Sequence, residues 1–370
     1  MSGVPAFRSP ISARSARVHR VVVPFEDRTG LVRMDRNEDV SGWDDAHLSR
    51  MLSRITPDDL AAYHDADPFQ EKLSGFLGVS SDSLTITSGS SEAIQMVFET
   101  YLDEGTTVLA LEPSYGLYEV FAAKCGAALL GFDFGEDLSL DVEDLVQRIA
   151  EEMPRLVVIA NPNQPTGTAL AEDDLKRIAT AALRVGAMLL VDEAYFLFTP
   201  VSAVGLCSQF PNIVVTQTFS KAFGLAGLRL GYCVGPADRI REIEKLRALT
   251  QSNAFALAVG TYVLDNREWA LSRVADVIAG RDFLLDRFAA DGLISFPSQA
   301  NFVLLGCSST DAARDLVLRA RGMGFALRGP ISTPLLKDFV RVTAGPLTLM
   351  EEFWTEAGSA IRELGAGREG

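Results

Sequence analysis

The stretch TFSKAFGLAGLRLGY, residues 218–232, is apolar and rich in glycine, and it carries a single lysine, Lys221. Around it stand hydroxyls at Thr216, Thr218 and Ser220, and a second cation, Arg229, lies eight residues on. A desolvated lysine beside another cation has a lowered pKa, which frees a nucleophilic amine of the kind needed for a Schiff base with an aldehyde. The plain alternative is a surface lysine in a turn. The glycines do not have dinucleotide-binding spacing, and the lysine is not in a phosphate-loop motif.

Other segments carry groups that complement such an amine. In VDEAYF (191–196) the acid Asp192 ends a strongly apolar run. It is placed to meet a cationic group on a ligand, to cap the next helix, or to serve as a metal-binding acid whose companion ligands are missing. In TSGSSEAI (87–94) Gly89 permits a tight turn, and Ser90 and Ser91 open a helix. Its free N–H groups make either a phosphate cradle or an ordinary capping box. Tyr115 in EPSYGLY (112–118) can stack on a flat ligand or pack on a sheet. The loop NPNQPTG (161–167) is ordered and non-helical, and it either holds an amide over a ligand or simply turns. Together the groups describe one molecule. It has a phosphate (Ser90, Ser91, Thr218, Ser220, Arg229), an aldehyde (Lys221), a flat ring (Tyr115), a ring cation (Asp192), and a ring hydroxyl met by Tyr195 and an amide from 161–164. Pyridoxal 5′-phosphate has each of these.

These residues must be held by a scaffold, and the hydrophobic pattern predicts one. From about residue 83, apolar runs (SLTIT, TTVLALE, AALLGFDF, RLVVIA, AMLLVD, NIVVTQT, LRLGYCV) alternate with amphipathic stretches. In SSEAIQMVFETYL, Ala93, Ile94, Val97, Phe98 and Tyr101 share one helical face. The alternation predicts a largely parallel sheet covered by helices. The candidate ligand groups lie just after the strands, where open α/β sheets bind ligands. The last two runs are joined only by FSKAFGLAG, so one of them can be antiparallel. After Gly235 the pattern turns helical. It then becomes a smaller strand–helix–strand–strand–helix unit built from ANFVLL, TDAARDLVLRARGMG, FALRGP, FVRVTAG and LTLMEEFWTEAGSAIREL. The expected organisation is an arm over 1–45, a large domain over 46–250 and a small α+β domain over 251–370.

Composition bounds the function. The 370 residues are 48% hydrophobic and 22% charged, with a net charge of −15. That is a globular composition, and its acidity argues against nucleic acid or an anionic membrane as the main partner. Cys125, Cys207, Cys233 and Cys307 are far apart and suggest neither a disulfide framework nor a zinc site, in keeping with a cytoplasmic protein. The first twenty residues lack the apolar core of a secretory signal, and no run is long enough to span a membrane. His19, His47 and His64 have no paired spacing, which points away from histidine-based metal chemistry.

The chain resembles the pyridoxal-phosphate aminotransferases of class I/II and fold type I, and within them the histidinol-phosphate aminotransferase-like group. TFSKAFGLAGLRLGY, VDEAYF, NPNQPTG, EPSYGLY, SQANFVLL and FVRVTAG are similar to that group's motifs and follow in the same order, over roughly residues 35–360. The resemblance implies a mostly parallel seven-stranded sheet flanked by helices, with a smaller α+β domain. It implies ping-pong exchange of an amino group between an amino acid and a 2-oxo acid or related carbonyl. Lys221 would be the covalent anchor and proton shuttle, and Asp192 the partner of the pyridinium nitrogen. Tyr195 and Asn163 would bind the ring hydroxyl, and Tyr115 would stack on the ring. Ser90, Ser91, Thr218, Ser220 and Arg229 would hold the phosphate. Tyr63, in AAYHDADPFQEKL, matches a tyrosine that reaches the neighbouring subunit's cofactor, which implies a homodimer with shared sites. Arg341 matches a carboxylate clamp, Arg328 a position that helps bind an anionic substrate, and Asn37 and Asn301 line the substrate pocket.

Three departures stand out. Gln164 precedes the Pro-Thr-Gly where many relatives have asparagine, so either Asn163 or Gln164 can take the ring hydroxyl. In the arm motif MDRNEDVSGW, Asp39 and Val40 replace the last two residues of the group's Asn-Glu-Asn-Pro-like stretch. The GPI after Arg328 also differs. These leave the substrate open. The runner-up reading is a decarboxylase or other Cα/Cβ lyase on the same fold. A cofactor-binding regulatory module would need a DNA-binding domain, and this acidic chain shows none.

Overall fold

The computed structural model describes residues 11–19, 26–248 and 252–367. Its strands, in chain order, are β1 (Val32–Arg33), β2 (Leu84–Thr87), β3 (Thr107–Glu112), β4 (Ala128–Asp133), β5 (Leu156–Ala160), β6 (Met188–Asp192), β7 (Ile213–Thr218), β8 (Gly231–Val234), β9 (Phe302–Gly306), β10 (Phe325–Ala326) and β11 (Phe339–Thr343). Seven of them form one sheet in the order β2-β8-β7-β6-β5-β3-β4. All neighbours pair in parallel except those of β8, which is antiparallel to both β7 and β2. Every apolar run of the sequence that predicts a strand here forms one. The 219–230 connection holds no crossover α-helix, and β8 returns antiparallel to β7.

The inner strands are buried on both faces, so they are continuously apolar rather than alternating. Along β5, Val157 and Ile159 enter the core under one layer of helices, and Leu156 and Val158 enter the core under the other. Helices Ser90–Tyr101 and Leu117–Cys125 cover the second face. Helix Glu172–Arg184 covers the first. Gly231 pairs with Thr87 in register, and a Cβ there would stand 2.5 Å from the carbonyl carbon of Gly89. Only a glycine lets β8 pass this close to the turn that ends β2.

A second core gathers Leu284, Phe288, Val303, Leu305, Leu316, Val340, Phe353 and Ile361 around the antiparallel pair β9 and β11. The sequence places the boundary between the units at 250/251, which lies outside the described residues. The handover between cores comes later. Helix Ala254–Asp265 still packs in the large core, and within helix Arg267–Ala290 Ala270 belongs to the large core and Leu284 to the small one. A continuous helix carries the chain across, so no turn signal marks the crossing. The arm is also more structured than its weak periodicity suggests. β1 pairs with β10 in parallel, and Met34 is fully buried in the small core. No helix among the described residues is long and apolar enough to cross a membrane.

Candidate active site

The carboxyl ends of β2, β5, β6 and β7 open onto one cavity of ≈ 250 Å³. Its walls bring together Ser90, Ser91, Tyr115, Asp192, Tyr195, Thr218, Ser220, Lys221 and Arg229. Nine residues predicted from four separate motifs therefore face the same space.

Lys221 follows β7 and donates its Nζ to the carbonyl of Arg36, 3.0 Å away in the arm. Burial pushes its ammonium down to about 8, and the neighbouring cations Arg341 and Arg229 add to this against the opposing charge of Glu38. The neutral amine is therefore far more accessible near neutral pH than that of an ordinary lysine, although the ammonium is still the major form at pH 7. Across the cavity Asp192 ends β6 with only 4% of its surface exposed. Its Oδ2 accepts from the Tyr118 hydroxyl at 2.7 Å, and its Oδ1 from Thr216 Oγ1 at 3.3 Å. Burial raises its carboxyl to about 6, while these donors and the Ala194 N–H pull it down. Among the described residues it has no ion pair, so the acid faces the cavity with neutral donors only.

One end of the cavity is built to receive an anion. Gly89 precedes helix Ser90–Tyr101 with φ 80°, and a Cβ there would overlap the Arg229 guanidinium. Arg229 Nη1 donates to Ser220 Oγ at 3.3 Å, and Thr218 Oγ1 donates to Ser220 Oγ at 3.0 Å. The first-turn N–H groups, three hydroxyls and one guanidinium converge, and an oxyanion satisfies them all. Tyr115 bonds Ser91 through its hydroxyl at 3.0 Å, which sets its ring as a cavity wall.

The ring-hydroxyl end departs from expectation. The Asn163 amide does not line the cavity. Its Oδ1 accepts from Ser114 Oγ at 2.7 Å, and its Nδ2 donates to Pro113 O and Thr166 Oγ1, both at 3.0 Å. The whole side chain is used to tie the loop to the segment after β3 and to its own Thr166. Gln164 faces the cavity instead, accepting from the Tyr195 hydroxyl at 2.7 Å. That hydroxyl in turn accepts from Asn37 Nδ2 at 2.8 Å, and burial raises its pKa to about 12.

Other predicted residues lie at the margins. Arg341 and Arg328 exchange backbone hydrogen bonds and line an adjoining groove of ≈ 730 Å³ that shares Tyr115 and Gln164 with the cavity. Arg341 is buried; its Nη2 donates to Asp35 O at 2.9 Å and its Nε has no partner. Asn301 lines a smaller space of ≈ 60 Å³ on the far side of Lys221 and donates to Asn37 O at 3.2 Å. Asn37 is buried, has φ 54°, and joins Tyr195 to Thr343 of β11. Tyr63 is not brought to this cavity and is 90% exposed.

Sequence reasoning passed over Tyr118, Glu38 and Arg36. Tyr118 is the second tyrosine of EPSYGLY, one helical turn after Tyr115, and that spacing was a signal available in the sequence. Glu38 and Arg36 line the cavity because the arm folds over it. Arg28 bonds both Asp35 and Glu38, at 2.9 Å each, and Arg273 pairs with Asp39, which ties the arm down. No local pattern marks those contacts.

The family model for aminotransferases of class I and II matches residues 56–355. The histidinol-phosphate aminotransferase 1 of Carboxydothermus hydrogenoformans (strain ATCC BAA-161 / DSM 6008 / Z-2901) is 33% identical over 276 residues, covering 74% of this chain and 78% of that protein. One from Burkholderia lata is 33% identical over 328 residues, covering 87% of this chain and 90% of the relative. The crystal structure of histidinol-phosphate aminotransferase from Sinorhizobium meliloti in complex with pyridoxal-5′-phosphate superposes with a TM-score of 0.84 at 23% identity, over 97% of this chain and 99% of that one.

Proposed function

The chain belongs to the class I and II aminotransferases, and from that premise we propose that it binds pyridoxal 5′-phosphate in the cavity beneath the arm and transfers an amino group by ping-pong exchange. One observation carries the reading. A lysine with a depressed pKa and a buried acid without an ion pair share a cavity with a phosphate-sized cradle. The residues present fit the cofactor group by group. When bound, it supplies an electron sink for negative charge developing at a substrate carbon.

The chain's own residues have separate tasks. With the cofactor in place, Lys221 Nζ would give up its bond to Arg36 O and hold the aldehyde carbon, the aldehyde oxygen leaving as water, and would hold and return the proton of the substrate Cα. Asp192 keeps the ring nitrogen protonated by pairing with it. Tyr195 and Gln164 orient the ring hydroxyl, and Tyr115 limits the ring's tilt. Arg229, Ser90, Ser91, Thr218 and Ser220 fix the phosphate. Arg341 meets a substrate carboxylate or other anionic group, and Arg328 extends that positive wall along the groove. The arm partly covers Lys221 through Arg36 and Glu38.

The substrate class this favours is an amine or 2-oxo acid with an anionic group, and histidinol phosphate with 2-oxoglutarate is the first pair to test. Asp39 and the segment after Arg328 distinguish this substrate wall from the resembling group's pattern. We further propose a homodimer, in which exposed Tyr63 serves the partner's cavity, and a cytoplasmic setting, which suits the four free cysteines. The division into a large domain over 46–250 and a small one over 251–370 is kept as a working description, with the helix Arg267–Ala290 as the bridge.

The test uses the purified enzyme loaded with pyridoxal phosphate and a panel of amino donors. Loss of the bound cofactor's visible band on adding a donor, and its return with a 2-oxo acid, is the expected result. Lys221→Ala is expected to lose both the covalent band and turnover, with a rate drop of at least ~10²-fold. Carbon dioxide release without need of a 2-oxo acid would establish the decarboxylase reading instead. Full turnover by Lys221→Ala would refute the assignment of the lysine.

A further inference from the structure

Asp192 is costly to ionise, since it is an acid held almost fully out of water that has no ion pair among the described residues. What keeps it usable is a set of neutral donors. The shortest of these bonds comes from Tyr118, whose hydroxyl donates to Asp192 Oδ2 at 2.7 Å, and Thr216 Oγ1 is further off at 3.3 Å.

The Tyr118 ring is itself fixed. It is 2% exposed, stacks on Phe98 with centroids 6.2 Å apart, and meets Tyr115 edge-on at 5.6 Å and 85°. Its backbone N–H donates to Tyr115 O at 3.1 Å, so one turn of chain delivers both tyrosines. The hydroxyl stays a donor, because burial and the adjacent Asp192 charge raise its pKa well above the ordinary range. The other titratable groups around Asp192 are Tyr115 and Tyr195, neutral phenols whose ionisation its charge opposes, and Glu193, whose carboxyl it pushes up; Lys221 and Arg229 line the same cavity.

We propose that Tyr118 is a positioning residue that holds Asp192 ionised and aimed into the cavity, and so sets how tightly the chain retains a protonated pyridine ring. The inference rests on the pyridoxal phosphate reading above. Without the Tyr118 donor, burial favours the neutral acid, which cannot stabilise a ring N–H⁺. Tyr118 touches neither substrate nor reacting atoms, and it acts through Asp192. Thr216 plays a weaker part of the same kind.

The experiment titrates the cofactor-free full-length chain with pyridoxal phosphate. It compares the unaltered protein, Tyr118→Phe, Tyr118→His and Thr216→Val by cofactor Kd and by the visible band between pH 5 and 9. Tyr118→Phe keeps the ring packing and loses the donor. Its Kd is expected to rise by roughly tenfold or more, the scale of a hydrogen bond to a charged group. Its band is expected to fade at a higher pH as pH falls, because Asp192 protonates earlier. Tyr118→His, which restores a donor, is expected to recover most of the affinity, and Thr216→Val to fall between. A Tyr118→Phe variant within twofold of the unaltered protein in Kd, with the same pH profile, overturns the proposal. So does a defect that histidine fails to rescue while the variant melts at the same temperature. If Tyr118→Phe does not fold, the order of Tyr118→His and Thr216→Val decides, and a larger loss in Thr216→Val overturns it. Failure of the unaltered chain to bind pyridoxal phosphate at all would instead sink the cofactor reading.

Discussion

Replacing Asp192 with asparagine is expected to make the cofactor-free chain more stable and the enzyme inactive. The reason is the burial of an ionised group. The carboxyl titrates at about 6 in the folded chain against an ordinary 3.8. As pH rises from acid, the unfolded chain releases this proton first, near 3.8. The folded chain holds it until about 6. Between these values the folded state loses ~1.4 kcal/mol per pH unit, and above pH 6 the loss is constant at about 3 kcal/mol. Stability tied to this group is thus fully present below pH 3.8 and gone above pH 6. Asparagine has nearly the same shape and no charge. Its oxygen can still accept from Tyr118, and its amide can donate to the Thr216 hydroxyl, so most hydrogen bonds survive. The expected gain for Asp192→Asn is near zero at pH 4, rises through pH 5, and reaches up to about 3 kcal/mol at pH 7–8. Urea unfolding of the cofactor-free protein at each pH measures it, and turnover of the loaded variant is measured in parallel. A variant less stable than the parent at pH 8, or a difference that does not change with pH, would refute the burial argument.

Two further substitutions test the cavity's construction. Gln164→Ala is expected to raise the cofactor Kd and leave unfolding stability within about 1 kcal/mol. Asn163→Ala breaks three hydrogen bonds, one within the 161–167 loop and two that tie it to Pro113 and Ser114, and should cost about 1–3 kcal/mol of stability. Parallel melts and cofactor titrations separate the two, and the opposite pattern would return the ring hydroxyl to Asn163. Gly89→Ala adds a methyl group where the Arg229 guanidinium lies, at a backbone φ of 80°. It is expected to displace the arginine, with a loss of at least ~1 kcal/mol in stability and a cofactor affinity at least tenfold weaker. Unchanged binding of pyridoxal phosphate by this variant would show that Arg229 does not hold its phosphate.

The strands and their ligand-bearing ends were legible because local physics specifies them. Runs such as LVVIA and IVVTQT are apolar on both faces, which only a doubly covered sheet tolerates, and the polar residues just beyond them are those that such a sheet presents to a ligand. Lys221, Asp192 and the hydroxyls therefore followed from residue types and order alone. Tertiary packing decided the rest. Asn163 and Gln164 are neighbours with the same amide, and only the direction of the loop shows that the first secures the turn while the second enters the cavity. Arg36 and Glu38 reach Lys221, and Asn37 reaches Tyr195, from an arm with almost no periodicity, held by bonds to partners such as Thr343 and Arg273 that lie more than two hundred residues away. The handover between the two cores is hidden inside one uninterrupted helix. Sequence by itself determined the sheet and most of the groups that line the cavity, because backbone periodicity and burial are local properties. What covers those groups, and which amide meets the ring, depends on contacts distant in the chain, and these exist only once it has folded.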